Sequence, residues 1–449
     1  MRTSTLEWKT FVLVSLVGFA LSLGYGVARY RLELIHLHDR SFIEKWDFDA
    51  LEHVLIAKAL LAGKGYMVDP DPPMPDKHVR NSGQEATFKA PMYQAFLASV
   101  FMLSGFSFVL FFPLQALLQG LLSGCVALIC LEAFNNPLAA WFAGILAAAH
   151  PVLVNTASQP YNENLFYFLF FAGLWTFLKS RASPRRAWAI ASGALMGLAI
   201  LTRETAVPLF ATVLLFAVVS GIRRSRLSLD LAVTFVVAVM VVAPWSVRNY
   251  FRLGHFVPVA SVSGHALLQG NNECIASESL LTPFWGEGSC RSTDQKRESL
   301  VAQTGLGDSV DNTLRDRIEG RIALQFIGMD PTGYLRLSLR RMWTVLLPFN
   351  PRASQRVHQR IAFLLYWMAV VPVGLMSLCT RLHGSPFPTM LLGGLIIVQL
   401  LLLVLVYFSP DGRYLVGVDL LLGCFASVMY AKLLRARVSE SPAGCRRRP

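Results

Sequence analysis

Charge is scarce in this chain. Asp, Glu, Lys and Arg together make up 15% of 449 residues, against 54% hydrophobic ones. A water-soluble chain carries about 25% charged residues, so a soluble enzyme of this length is excluded by composition. Acid is scarcer than base: Asp and Glu number 28 against 41 Lys and Arg, for a net charge of +13. In a soluble protein that excess would point to nucleic acid. Here the basic residues sit in short clusters between apolar runs, the pattern of cytoplasmic membrane loops, and no nucleic-acid partner is expected. Nucleotide-binding signatures are missing too. The chain has no phosphate-binding glycine loop, dinucleotide fingerprint, GxSxG elbow or HExxH pair, so a cytosolic nucleotide donor has no support. It also lacks a fixed-period internal repeat, low-complexity tracts and metal-type cysteine spacing.

Long apolar runs are what the chain does have. A bilayer span needs about 20 mostly apolar residues. The first run, Phe11 to Ala28, follows Arg2 and Lys9 without a convincing cleavage motif, and is read as a retained span rather than a signal peptide. Others fall near 108–131, 138–154, 163–178, 187–202, 207–221, 228–244, 359–379, 388–408 and 415–433. The expectation is an all-α polytopic membrane protein with about ten transmembrane helices.

Pro91–Leu103 is too short to cross and is closed by Ser104-Gly105, so it reads as a helix along the membrane interface. Charge supports that choice. With both termini inside and this segment flat, the clusters Lys179/Arg181/Arg185/Arg186, Arg223/Arg224/Arg226, Arg381 and the tail from Lys432 to Arg448 all lie in the cytoplasm. Were the segment to span, the first two would lie outside. The expected organisation is a first helix (1–28), an outer segment (29–107), helices two to seven (108–244), a second outer segment (245–357), helices eight to ten (358–434) and a basic tail (435–449). The two outer segments are expected to form an α-rich cap. Cys274 and Cys290, both in the second, form a disulfide if that side is oxidising.

On this topology the conspicuous ionisable residues gather at the outer face: Asp47, Asp49, Glu52, His53, Lys89, Glu163, Arg203, Glu204, Arg248, Asp411 and Arg413. Ionisable groups at membrane depth are costly and mark substrate paths. Their convergence from separate stretches predicts a polar cavity beneath the cap. Asp49, Glu52 and His53 share one side of a helix start. That is either a solvated face with helix-stabilising acids or a carboxylate placed as general base. Glu163, opening an apolar helix, is either a helix-start acid or a second acid that orients an acceptor. Its alternative role with Asp49 is to supply two oxygen ligands to a divalent cation, Mg²⁺ or Mn²⁺, which spacing alone does not decide. Lys89, Arg203, Arg248 and Arg413 oppose the positive-inside trend. They either snorkel to ordinary membrane lipids or offset the phosphate of a lipid headgroup. His53 and His265, each alone, read more readily as structural than as metal ligands.

The stretches DALEHVLIAKALLAGKGY, FKAPMYQAFLASVFMLSG, PYNENLFYF, GLAILTRETA, APWSVRNYFRLGHFVPVASVSGHALLQGNN and GRYLVG, in this order, span nearly the whole chain. Together they resemble the GT-C superfamily of lipid-phosphate-sugar-dependent glycosyltransferases. The similarity is greatest to the bacterial branch akin to protein O-mannosyltransferases and the aminoarabinose transferase of lipid A. The resemblance implies Asp49 as catalytic base and Glu163 as the second-loop acid. It implies Lys89 and Arg203 as contacts to the donor phosphate, with Arg413 and Tyr414 as further donor-site residues. Arg248, Asn249, Asn271 and Asn272 fall in a family-typical segment without an assigned role. The family's frequent Asp-Glu pair reads Asp-Ala here, and a common Tyr is replaced by His53. The implied activity moves a sugar from a polyprenyl-phosphate carrier to a glycan, lipid or protein acceptor. The implied place is the periplasmic face of a bacterial inner membrane. A lipid-linked-sugar flippase without transfer chemistry is the alternative.

Overall fold

A computed structural model describes residues 2–30, 48–69, 85–105, 107–183, 185–221, 225–272, 291–303, 312–346, 357–380, 386–406 and 412–440. Asp47, Asp411, Cys274, Cys290, Arg223, Arg224, Arg381 and Arg446–Arg448 lie outside the described residues.

Sequence punctuation sets most helix boundaries. The chain begins with α1 (Arg2–Tyr30) and α2 (Phe48–Leu61), then α3 (Pro91–Leu103), α4 (Phe111–Phe134), α5 (Pro137–Ala148) and α6 (Pro151–Thr156). Pro91, Pro137 and Pro151 each open a helix where the missing N–H is harmless. Asn135 ends α4 in a left-handed conformation (φ 47°), and the next residue, Asn136, caps α5 by accepting from the Ala139 N–H. There follow α7 (Glu163–Ala182), α8 (Ala187–Thr202), α9 (Ala206–Gly221), α10 (Ser225–Leu253) and the short α11 (Ser263–Gly270). The remainder comprises α12 (Arg291–Ala302), α13 (Asn312–Met329), α14 (Pro331–Leu346), α15 (Val357–Cys379), α16 (Pro386–Leu401) and α17 (Val416–Glu440). Among the described residues there is no β-strand, only an isolated bridge between Met67 and Glu85.

Among the described residues, six helices are long and apolar enough to cross a membrane: the greater parts of α1, α4, α10, α15, α16 (with its continuation to Val406) and α17. Four shorter apolar helices, Pro91–Leu103, Pro137–Ala148, Ala187–Thr202 and Ala206–Ser220, accompany them. The chain is thus an all-α polytopic membrane fold. Two local differences from the sequence reading have clear causes. The run at 138–154 is not one helix: His150 caps a new one opened by Pro151, accepting from the Leu153 N–H. The run at 228–244 does not stop at Pro244, because α10 continues to Leu253. There Trp245, Ser246 and Asn249 donate to the carbonyls of Val259 (2.8 Å), Pro258 (2.6 Å) and Val257 (3.0 Å), binding the extra turns to the returning chain.

The bundle packs closely through small residues. On α4, Gly120 and Gly124 face α1; a Cβ on Gly120 would lie 2.4 Å from the Ser15 carbonyl, and one on Gly124 2.5 Å from Ser15 Oγ. Such close approach supplies helix association where lipid removes the hydrophobic drive. At one end of α7, Lys179 pairs with Glu132 of α4 and Glu7 of α1, the latter at 3.1 Å. The opposite end of α7 begins with Glu163, where the candidate site lies.

Candidate functional site

Each site residue stands where a helix starts or stops. Asp49 and Glu52 lie in the first turns of α2, three residues apart and on one side. Lys89 precedes α3, held in place as its carbonyl accepts from the Tyr66 hydroxyl at 2.9 Å. Glu163 opens α7. Arg203 ends α8 in an extended conformation (φ −157°, ψ 124°), which turns its side chain out of the helical path. Arg413 and Tyr414 form a single 3₁₀ turn before α17. The Arg413 carbonyl accepts from the Tyr167 hydroxyl at 3.3 Å, and the Tyr414 carbonyl from the Gln399 amide at 3.2 Å.

These ends line one cavity of about 440 Å³, walled by Asp49, Glu52, Lys89, Arg203, Arg413 and Tyr414 together with Asn162, Tyr167, Gln399, His265 and Gln269. Across it runs a chain of ion pairs. Lys89 contacts Asp49 and lies 3.1 Å from Glu52. Arg413 lies 3.1 Å from Asp49 and 3.8 Å from Glu163. Arg203 lies 3.2 Å from Glu163 and stacks over the Tyr414 ring at 5.0 Å. Glu163 is almost fully buried, and its Oε2 has no hydrogen-bond partner among the described residues. Asp49, by contrast, leaves 39% of its side chain open to the cavity.

Burial alone raises the Asp49 carboxyl, but Lys89 and Arg413 reverse that and hold it well below the usual carboxylate range. Burial likewise lowers Lys89, and Asp49 with Glu52 overturns it, so the ammonium stays firmly charged. In this state the three cations are paired with Asp49, Glu52 and Glu163, with Glu204 lining the cavity beside Arg203, and Asp49 is a weak base until something draws its cations away.

Five residues expected at the site therefore meet in one chain of contacts: Asp49, Glu163, Lys89, Arg203 and Arg413. Glu52 joins them through Lys89. The other expectations fall elsewhere. His53 is buried behind α2, paired at Nδ1 with the Gln94 amide (2.7 Å) and edge-on to Tyr93, and burial holds its pKa well below the usual histidine value. Arg248 pairs with Glu85 and lies over Trp245 (4.8 Å) and Tyr66, a helix-end clamp away from the cavity. Asn271 accepts from the buried Arg341 at 3.1 Å, joining α11 to α14. Arg413 stands between Asp49 and Glu163, where a divalent cation bridging both carboxylates would need to be. Among the described residues no group of three or more His, Cys, Asp or Glu can hold a metal ion.

Sequence reasoning missed Tyr167, Gln399, His265 and Gln269 as cavity residues. Gln399 had a usable signal, a lone amide inside the apolar run LIIVQLLLLV. Tyr167 had none, being one aromatic among many in ENLFYFLFF.

Residues 88–247 match a family model described as dolichyl-phosphate-mannose-protein mannosyltransferase, a stretch that includes Lys89, Glu163 and Arg203. No curated protein matches the chain significantly. Among solved structures, the fold is similar to an oligosaccharyltransferase, AglB from Archaeoglobus fulgidus, in complex with an inhibitory peptide and a dolichol-phosphate. The TM-score is 0.55 at 17% identity, over 98% of this chain and 52% of that one. The chain thus spans about half the length of that protein. A looser likeness is to ArnT from Cupriavidus metallidurans bound to undecaprenyl phosphate (TM-score 0.39, 19% identity, 94% of this chain and 77% of that one). Residues 88–247 thus carry a mannosyltransferase-family pattern, on a helical framework similar to that of AglB.

Proposed function

We propose that the chain is an integral membrane glycosyltransferase that moves a sugar from a polyprenyl-phosphate donor to an acceptor. One observation carries this reading: Lys89, Arg203 and Arg413, from three distant stretches, converge with Asp49 on a single cavity at the ends of apolar helices, with the buried Glu163 paired to Arg203 behind its wall. A lipid carrier reaches such a place from the bilayer, and its phosphate suits one ammonium and two planar guanidinium forks. The matched family's description names a dolichyl-phosphate-linked mannose donor, and AglB was solved with a dolichol-phosphate, so the ligand class agrees with the charges.

In the proposed reaction the acceptor oxygen attacks the anomeric carbon as the carbon–oxygen bond to phosphate breaks. The electron pair stays on the phosphate, and the acceptor proton passes to Asp49. A single displacement inverts the anomeric centre. An arriving phosphate competes with Asp49 for Lys89 and Arg413, which releases the carboxylate and raises its basicity only when donor is present. Lys89 and Arg203 then stabilise the charge growing on the leaving phosphate, a role worth roughly 3–4 kcal/mol for one well-placed donor. By the positive-inside argument, the site faces the periplasmic side of a bacterial inner membrane.

The test is transfer by purified full-length protein in liposomes loaded with radiolabelled polyprenyl-phosphate-mannose. Label appearing in a new glycosidic linkage supports the reading. Label moved across the bilayer with the donor intact would identify a flippase instead.

A further inference from the structure

The cavity has two unlike walls. Its charged groups stand at or near helix ends. The wall contributed by α11 offers Ser263, His265 and Gln269, side chains that hydrogen-bond and carry no permanent charge. Among these, His265 is held with unusual care. Its ring Nδ1 lies 2.8 Å from Glu319 Oε2, and its backbone N–H donates to Asp316 Oδ1 at 2.9 Å. Asp316 also accepts from Ser261, at 3.4 Å. Both acids belong to α13 and are buried, at 3% exposure for Glu319 and 8% for Asp316.

This approach depends on Gly264, beside His265. A Cβ there would lie 1.9 Å from the Asp316 carbonyl oxygen, so only glycine lets α11 sit this close to α13. Docking of the two helices is already supplied by an apolar cluster of Leu268, Ile318, Ile322 and Ala323. A buried carboxylate aimed at the ring of a cavity-lining histidine adds something docking does not need. It fixes the orientation of the imidazole, as a carboxylate does wherever a histidine must present one edge to a ligand.

We infer that α11 forms a hydroxyl-recognition subsite for the glycosyl group of the lipid-linked donor, with His265 as the contacting residue and Glu319 as its positioning residue. This rests on the proposed donor reading. The phosphate is fixed by the charged wall, and the sugar it carries is tethered within the same cavity, facing the wall that can exchange hydrogen bonds with neutral hydroxyls. Permanent cations would serve such groups poorly, since each sugar hydroxyl both donates and accepts.

The experiment is equilibrium binding to full-length protein in nanodiscs. The probes are undecaprenyl phosphate and its mannosyl, glucosyl and arabinosyl esters. The readout is the ratio of affinities between the best ester and the bare phosphate. For His265→Ala this ratio is expected to fall about tenfold, the worth of one good hydrogen bond, while affinity for bare undecaprenyl phosphate stays within twofold. Glu319→Gln, which still offers an acceptor to the ring, is expected to fall less, and Glu319→Ala nearly as far as His265→Ala. A ratio unchanged in His265→Ala would overturn the inference. So would equal losses for ester and bare phosphate, which would mark His265 as structural. If wild type binds the bare phosphate but prefers no ester, the sugar subsite alone is wrong. If it binds no undecaprenyl phosphate at all, the donor reading beneath it is wrong as well.

Discussion

The two ends of α7 make an instructive pair. At one end Lys179 sits between Glu7 and Glu132 and ties α7 to α1 and α4. That cluster is a lock: one cation held by two acids from adjacent helices. At the other end Glu163 belongs to a group of three cations and three carboxylates drawn from stretches as far apart as residues 49 and 413. All of these except the buried Glu163 line a cavity of about 440 Å³, and one carboxylate oxygen of Glu163 lacks a hydrogen-bond partner among the described residues. Both ends contain ion pairs at helix termini, so ion pairing as such says nothing about function. What separates them is the room beside the charges at the Glu163 end.

The largest break in that comparison is expected from Asp49→Asn. Its shape is nearly unchanged, yet the proposed base is gone, and transfer should fall by about 10²–10⁴-fold. Insertion and elution as a monodisperse protein in detergent should stay normal. Transfer within threefold of wild type would remove Asp49 as base.

Lys89→Met is expected to cost about 10²–10³-fold in kcat/KM with a lipid-phosphate sugar. It should also leave a signature that simple loss of affinity would not. Burial raises the Asp49 carboxyl and Lys89 is the leading cation that lowers it. Removing Lys89 therefore raises the Asp49 pKa, and the acidic limb of the kcat/KM profile should move to higher pH. An acidic limb that stays in place would show that it reports some other group. In stability terms the sign is the same. A carboxyl held low in the folded state stabilises above its unfolded value and loses that contribution as pH falls through the folded one.

At the lock end, Lys179→Met should change transfer less than twofold while lowering stability by about 1 kcal/mol, the scale of a partly exposed pair. Thermal unfolding in detergent checks it. The smallest effect belongs to Arg248→Met. The structure gives Arg248 to Glu85, Trp245 and Tyr66 rather than to the cavity. Donor affinity should therefore stay within twofold, with a stability loss of about 1 kcal/mol. A tenfold loss of affinity would return Arg248 to the site.

Much of this was legible in the sequence because the bilayer restricts what a chain can do. Apolar runs mark most of the helices, and lysine and arginine placement is the argument for their expected orientation. From that orientation alone, Asp49, Lys89, Glu163, Arg203 and Arg413 were expected at one end. Side-chain direction was not legible. Glu52 and His53 are neighbours in sequence, and only the packing of α3 decides that Gln94 takes the histidine while the glutamate meets Lys89. Arg248 and Arg413 look alike as outer-face arginines. They part company because α10 continues past Pro244 and carries Arg248 onto Tyr66 and Trp245. Nor did the sequence reveal the α11 wall, since its place depends on Gly264 meeting α13, a contact between segments about 50 residues apart.

The most direct test of the central claim is a structure of the protein with a polyprenyl phosphate bound. The account predicts phosphate oxygens within hydrogen-bond distance of Lys89 and at least one of Arg203 and Arg413, with the Lys89–Asp49 contact opened. Phosphate bound elsewhere, with Lys89 still closed on Asp49, would contradict it.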